Sequence, residues 1–553
     1  MTTAVTADPA HPAQAAPNPR SARAMLVIAV IVLAALAVRL AFFSYQSGDY
    51  TAYFSQWYTY IKGHGGFAAL KTNFANYNEP YLYLLAALTY LPVPALAGIK
   101  AMSVVFDFLL AFFAYRIVNL RYTNRWWPIL AGAIVLFLPT VVLNSSMWGQ
   151  ADAMYGALGI GAVYFLLRKR PWLACLFFGL AFSFKLQIVF LFPLLLLLVL
   201  RKWVPWRALL VIPVVYVLLD VPALLLGASP GAVFSLYATQ AGTYDQLTLN
   251  APNVYQYFDT TTSTALRYGG IAVTGILLLA LIIPVAVKRI PLTPLRIILA
   301  ATVSALLVPY FLPAMHERYF YLADVLTVLA AFYLPRKLWA LPILEQFASL
   351  FSYLPFLLMT RGGGRFPGGF NRSGAGSGQP PALPAQGTGG LPGGASGGNG
   401  GFGGGYGGGY GGGRLGGGSG GSGGSGSGGG AFGGGGSGGS GGVGGRGGFG
   451  GGGGFGGRGF GGGAGGAGAG GGGGGGTAVI PFTILATVML AALVLAVWVA
   501  VREFRRIDPA DNLAENPVGI TSESAKKPGA SADSDAEEDD QQVQLDGQVW
   551  GSS

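Results

Sequence analysis

The chain has 553 residues, of which 52% are hydrophobic and only 10% are charged. Soluble domains carry about a quarter charged residues, so this composition excludes an ordinary soluble protein and points to a polytopic membrane protein. The net charge of +11 does not signal nucleic acid, because the Lys and Arg residues cluster between apolar segments, as topology signals do. The single cysteine, Cys175 within an apolar run, excludes an intramolecular disulfide and a cysteine-based zinc site.

Residues 1–24 are rich in Ala and Pro and are expected to form a disordered cytoplasmic N-terminus. The first apolar segment, 25–43, approaches the ~20 residues that a bilayer span needs. No small-residue cleavage site follows it, so it reads as an uncleaved anchor. Arg20 and Arg23 precede it, which puts the N-terminus inside and Asp49 outside. An outer loop over 44–97 follows, with Trp57, Tyr58, Tyr60, Tyr77 and Tyr81, a composition suited to the membrane–water interface. Counting 81–97 as a span would send Arg121, Arg125 and Arg168-Lys169-Arg170 outside. It is therefore predicted to hold a helix at 81–91 lying on the outer face.

Spans are predicted at 98–118, 127–143 and 151–167. Between Arg170 and Arg201 the chain must cross twice, as two short arms turning at Lys185 in a recess. At 1.5 Å per residue each arm reaches only ~20 Å. Further spans are predicted at 206–226, 270–287, 295–312, 319–334, 338–358 and 477–501. The expectation is an all-α polytopic membrane protein with about twelve transmembrane helices and both termini cytoplasmic. Residues 25–360 would form its core, with interfacial helices in the first outer loop. Residues 361–476 are Gly/Ser-rich and bury too little apolar surface to offset ordering entropy, so a disordered extracytoplasmic loop is expected. Its Arg-Gly-Gly pieces at Arg361 and Arg446 resemble RNA-binding segments, but no nucleic-acid partner is expected outside the membrane. Residues 502–553 read as an acidic, disordered cytoplasmic tail.

This topology collects polar residues on the outer side. They are Asp49, Glu79, the turn Asn144-Ser145-Ser146-Met147-Trp148-Gly149-Gln150-Ala151-Asp152, Lys185 at the recessed turn, Asn250-Ala251-Pro252-Asn253 in the loop 227–267, and His316-Glu317-Arg318. The inner side carries only basic anchors. A carboxylate can act as general base on an attacking hydroxyl. Lys and Arg can hold a phosphate, Arg through a fork of donors and Lys as a point charge. Trp148, Gln150 and Asp152 suit sugar hydroxyls, by stacking and hydrogen bonds. Together these residue types fit an enzyme that takes a sugar from a lipid-linked phosphate. The alternatives are that Lys185 merely snorkels and that His316-Glu317-Arg318 is a structural ion-pair cluster at a helix end. Asp107 and Asp220, inside spans, read as packing residues with Ser, Tyr or backbone partners, the alternative being proton-relay or substrate groups.

Several of these pieces resemble a known family. They are Gly48-Asp49-Tyr50 with Trp57, Asn76-Tyr77-Asn78-Glu79-Pro80-Tyr81-Leu82-Tyr83, Trp148-Gly149-Gln150-Ala151-Asp152, Phe182-Ser183-Phe184-Lys185-Leu186-Gln187, Asn250-Ala251-Pro252-Asn253 and His316-Glu317-Arg318-Tyr319. Spread over about 30–356, they resemble polytopic GT-C glycosyltransferases, the bacterial group similar to the eukaryotic GPI mannosyltransferase that adds the second mannose. The resemblance implies a polyprenyl-phosphate sugar donor, mannose as the expected sugar, inversion at the anomeric carbon and an essential acid in the first outer loop, here Asp49. Many such enzymes pair two acids there. Here Asp49 is followed by Tyr50 and Thr51, which favours a single base with a basic phosphate site and leaves a divalent metal open, with Glu79 or Asp152 able to supply a second acid.

The expected activity is hexose transfer to an acceptor hydroxyl on the extracytoplasmic face. Asp49 would be the base, Lys185, Arg318 and His316 would hold the donor phosphate, and Glu79, Trp148, Gln150, Asp152, Asn250 and Glu317 would contact sugar or acceptor. No bound cofactor is expected beyond the lipid-linked sugar donor, no residue is assigned as a metal ligand, and dependence on a divalent metal stays open. The partners would be membrane lipid and a glycan, lipid or protein acceptor. The alternative activity is a transporter or flippase of lipid-linked sugars, which would call for polar residues on both faces and an internal repeat.

Overall fold

A computed structural model of the chain describes residues 19–242, 244–258, 263–358 and 480–506. The chain divides into two units, and all described residues belong to the one formed by Met1–Ala385 and Ala478–Ser553. The expected glycine-rich loop, the acidic tail and most of the N-terminal segment lie outside the described residues.

The described part is helical. Helix α1 (Pro19–Leu40) begins six residues before the predicted start, because Pro19 is pre-organised for a first helical turn and no breaker follows it. After a wide π-type turn at Tyr50–Phe54 come α2 (Ser55–Gly63), α3 (Glu79–Leu88) and α4 (Ala95–Asn119). With 10 residues, α3 is only ~15 Å long, too short to cross a bilayer core of ~30 Å. Next are α5 (Trp126–Phe137) and α6 (Pro139–Val142), then α7 (Asp152–Leu167), α8 (Pro171–Phe184) and α9 (Phe192–Leu200). They are followed by α10 (Val211–Leu225), α11 (Pro230–Gly242), α12 (Thr264–Val287) and α13 (Pro294–Phe311). The last four are α14 (Tyr321–Tyr333), α15 (Pro335–Leu338), α16 (Leu341–Leu358) and α17 (Phe482–Arg505).

Seven of the described helices are long and apolar enough to cross a membrane. An eighth is added if the run from Trp126 to Trp148, bent by 51° after Phe137, counts as one span. The bend falls at Pro139, whose ring cannot continue the preceding helix. The helices over Asp152–Leu167, Pro171–Phe184, Leu186–Leu200 and Tyr321–Tyr333 are apolar but shorter. The molecule is thus a multi-pass helical membrane protein.

Helix α7 is the axis of the bundle. All of its residues except Phe165 are buried, as befits a helix that is apolar on every side. Its glycines let neighbours approach: a Cβ on Gly156 would lie 2.7 Å from the Tyr321 ring, and one on Gly159 would lie 2.6 Å from Ile188. Helices α4, α8 and α14 pack around it.

An ion pair ties α1 to this core. Arg39 Nε donates to Asp107 Oδ2 at 2.9 Å, and Ser145 Oγ donates to the same oxygen at 2.6 Å. Arg39 also donates to the Leu136 carbonyl. Charges buried this deeply persist only when paired and hydrogen-bonded, and this pair meets both conditions. Just beyond the same end of α1, Lys100 donates to the carbonyls of Phe42 and Phe43. That contact fixes the segment leading into Asp49.

Each helix end that meets the polar cluster described below has a basic opposite end. Arg116 and Arg121 end α4, Arg168-Lys169-Arg170 join α7 to α8, Arg201-Lys202 follow α9, Arg296 opens α13, and Arg336-Lys337 follow α14.

Candidate active site

The site is built where helices end. Asp49 follows α1 and immediately precedes the Tyr50–Phe54 turn. Ser47, buried beside it, donates through Oγ to the Trp148 carbonyl at 2.6 Å and accepts from the Tyr50 amide. Residues 143–148 form a second wide turn that ends at Gly149, whose φ of +78° lies in the left-handed region open to glycine. That reversal aims both Trp148 and Gln150 at Asp49. Trp148 Nε1 donates to Asp49 Oδ2 at 3.0 Å, and Gln150 Nε2 donates to the same oxygen. The other oxygen, Oδ1, makes no hydrogen bond among the described residues.

Gln150 is itself oriented. Its backbone carbonyl accepts from Ser103 at 2.7 Å, and its side-chain Oε1 accepts from the Tyr77 hydroxyl at 3.1 Å. Burial drives the Tyr77 pKa upward, so its proton stays available for that bond.

Two residues on, Asp152 opens α7 and is fully buried. Lys185 Nζ donates to its Oδ1, Asn144 Nδ2 donates to Oδ2 at 2.8 Å, and Arg318 Nε lies 3.7 Å from Oδ2. Lys185 stands where α8 ends, in extended backbone (φ −158°, ψ 136°), so the side chain leaves the helix line and enters the cluster. Arg318 lies between β2 (Met315–His316) and α14. A second link joins it to Glu317, with NH1 donating to Oε1 at 2.7 Å. The Arg318 guanidinium sits over the Trp148 ring at 5.3 Å, and Lys185 Nζ lies 5.7 Å from the centre of the Tyr77 ring.

The contacts close a ring: Asp49, Trp148, Arg318, Asp152, Lys185, Tyr77, Gln150 and back to Asp49. It draws on five chain segments that are distant in sequence.

His316 is placed by a two-strand patch. Strand β1 (Thr248–Leu249) pairs with β2 in parallel, and Asn250 bridges to His316 from a left-handed backbone (φ +62°). Asn tolerates that conformation better than other non-glycine residues. Asn250 thus meets the site through backbone pairing. Burial lowers the His316 pKa, leaving the imidazole neutral near pH 7. Burial also works against the Glu317 charge, but the neighbouring His316 and Arg318 outweigh it and hold that carboxyl below the ordinary value.

Glu79 departs from the expected grouping. Burial, and then the nearby charge of Asp220 on α10, push its pKa up to about 7, and its Oε2 is buried without a hydrogen bond. Glu79 makes no hydrogen bond or ion pair with a ring residue among the described residues; it shares a small cavity wall with Tyr77 and faces the charge of Asp220. Next to Glu79, Asn78 donates to the Tyr237 hydroxyl, which donates on to the Phe182 carbonyl.

The structure therefore brings together Asp49, Trp148, Gln150, Asp152, Lys185, Glu317, Arg318 and, through its strand, His316. It adds Tyr77 to the polar set and gives Asn144, already in the outward turn, a partner in Asp152, with Tyr53 and Tyr244 within electrostatic reach of Asp49 and Arg318. The roles look different from those read in the sequence. Trp148 is 3% exposed and its indole N–H is committed to Asp49, so it positions that acid rather than offering a face to a sugar. Asp152 is the counterion of Lys185 and Arg318. With His316 neutral, the cluster sets three carboxylates against two cations, so it is a paired network and not an open basic pocket. What remains uncommitted is definite: Asp49 Oδ1, two of the three Lys185 protons, and the Arg318 Nε–H, which has no hydrogen-bond partner.

Among the described residues no group of three or more His, Cys, Asp and Glu could hold a metal ion. No protein-family model matches the chain, and no curated protein matches it.

Proposed function

We propose that the chain is an integral-membrane glycosyltransferase that moves a hexose, mannose by preference, from a polyprenyl-phosphate donor to an acceptor hydroxyl. The observation that carries the reading is the Asp49 carboxylate, held on one oxygen by Trp148 and Gln150 and free on the other, within one ring of contacts with Lys185 and Arg318.

In this reading Asp49 Oδ1 takes the proton of the acceptor hydroxyl as its oxygen attacks the anomeric carbon. The bond from that carbon to the donor phosphate oxygen breaks, and its electron pair leaves with the lipid phosphate. The remaining protons of Lys185 and Arg318 Nε receive the charge that develops there, in a site shielded from water. A single displacement of this kind inverts the anomeric centre. Asp152 and Glu317 keep both cations in place before the donor arrives. Asn144 holds Asp152.

The topology that goes with this reading has about twelve spans, counting the short helices, both termini in the cytoplasm and the ring on the extracytoplasmic side. The basic residues at the opposite helix ends support it through the positive-inside rule. The test is transfer in proteoliposomes supplied with a polyprenyl-phosphate hexose and candidate acceptor glycans. The Asp49→Asn variant should bind donor and form no product.

A transporter of lipid-linked sugars is the second reading, favoured by one observation. Asp324 on α14 and Glu345 on α16 are buried inside the bundle, and both accept from Gln346, at 2.8 and 3.2 Å. Intramembrane acids of this kind mark proton relays in pumps and transporters. Movement of donor across the bilayer without product, lost in Asp324→Asn, would favour it.

A further inference from the structure

A groove of about 710 Å³ opens between α9, α12, α13 and α17, at the end of the bundle away from the ring. Its walls are apolar: Leu194, Leu281, Val303 and Val497 face it from the four helices. Among the described residues the wall has one hydroxyl, Ser304, which donates to the Phe190 carbonyl. Lys288, Arg289 and Arg505 line the mouth, all exposed, and none has an ion pair among the described residues.

Length narrows the occupant. From Leu278 to Lys288, the residue that caps α12, the groove follows the helix for ten steps, or ~15 Å, which is half of a ~30 Å hydrocarbon core. A groove of single-leaflet depth, dry along its wall and cationic at headgroup level, matches an acyl chain below an anionic headgroup. Basic pockets between transmembrane helices hold such headgroups. A soluble anion would make no use of the apolar wall, and a zwitterionic lipid, whose ammonium opposes its phosphate, gains less than an anionic one from three cations that no described residue pairs.

We propose that this groove is a binding site for an anionic phospholipid of the leaflet marked by the basic residues, seated with an acyl chain between α12 and α17. The site is separate from the ring around Asp49 and does not depend on the sugar-transfer reading.

The full-length protein, released from detergent in native mass spectrometry after incubation with phosphatidylglycerol or phosphatidylcholine of equal chain length, gives the test. Phosphatidylglycerol should be retained and phosphatidylcholine largely lost. The triple variant K288Q/R289Q/R505Q should weaken phosphatidylglycerol binding on the order of a hundredfold, at about fivefold per charge. A control triple of equally exposed basic residues outside the groove, K202Q/R207Q/R336Q, should leave it unchanged. Ala280→Trp, at an exposed wall position, should block the acyl chain and lower retention with all charges present. Equal retention of the two lipids, an undiminished adduct in the triple variant or in Ala280→Trp, or an equal loss in the control would overturn the proposal.

Discussion

Trp148 Nε1 donates to Asp49 Oδ2 at 3.0 Å across 99 positions of sequence, while the face of the same indole lies 5.3 Å from the Arg318 guanidinium. One side chain thus fixes the spacing between the proposed base and the proposed phosphate ligand. Trp148→Phe keeps an aromatic face for Arg318 and removes only the N–H. Losing one hydrogen bond to a charged group costs ~1.5–3 kcal/mol. Turnover should fall about 10- to 100-fold with the donor KM little changed. Steady-state kinetics that showed the reverse split would place Trp148 in donor binding.

The two partners of the buried ion pair are not equivalent. In Lys185→Met, Asp152 keeps Asn144 and Arg318. In Asp152→Asn, both cations lose their shared carboxylate at once. Stranding a buried charge costs ~3–5 kcal/mol. Asp152→Asn should therefore lower the unfolding temperature more than Lys185→Met does, as read by intrinsic fluorescence in detergent, and Lys185→Met should abolish transfer with the smaller loss of stability.

Glu79 gives a pH signature. Its pKa is raised from 4.5 to about 7 in the folded protein, so between those values the folded state holds a proton that the unfolded state has lost. Stability contributed by the neutral form is present below about pH 4.5 and is lost as the pH rises toward 7. Glu79→Gln removes the titration. It should be neutral near pH 4 and stabilising by ~2–3 kcal/mol at pH 8. Thermal melts of the two proteins across this range should diverge upward from pH 5.

Close packing around α7 should be intolerant of volume. At Gly156 the nearest obstacle is the Tyr321 ring, itself fully buried and unable to swing away. Gly156→Val should cost ~1–3 kcal/mol of stability from overpacking. The same substitution at Gly269, where a Cβ would meet nothing within 4 Å, should cost much less.

Much of this organisation is legible in the chain because lipid imposes simple rules. Apolar length separates the long helices from loops, and the basic clusters put Asp49, Gln150, Asp152, Lys185 and Arg318 at one end of the bundle. The break at Lys185 follows from basic residues on both sides of a stretch too long for one crossing. Other features depend on packing that no pattern carries. Tyr77 is one of many aromatics in the interfacial stretch, and only its 3.1 Å bond to Gln150 sets it apart. Glu79 shares the polarity of the cluster, but α3 turns it toward Asp220, 141 positions away. Trp148 looks like a sugar-stacking residue until the left-handed turn at Gly149 is seen to bury it. The helices α7, α8, α9 and α14 fall on segments that the basic flanks mark in the sequence, and each is shorter than a full bilayer crossing.

The central claim is that Asp49 takes the acceptor proton. The direct measurement compares wild-type and Asp49→Asn protein in proteoliposomes, with radiolabelled polyprenyl-phosphate hexose as donor and product counted in the acceptor fraction. Asn keeps the acceptor oxygen for Trp148 and removes the basic one, so the account predicts unchanged thermal stability, retained donor binding and a fall in transfer of at least ~100-fold. Transfer within a few-fold of wild type in a folded, donor-binding Asp49→Asn protein would contradict it.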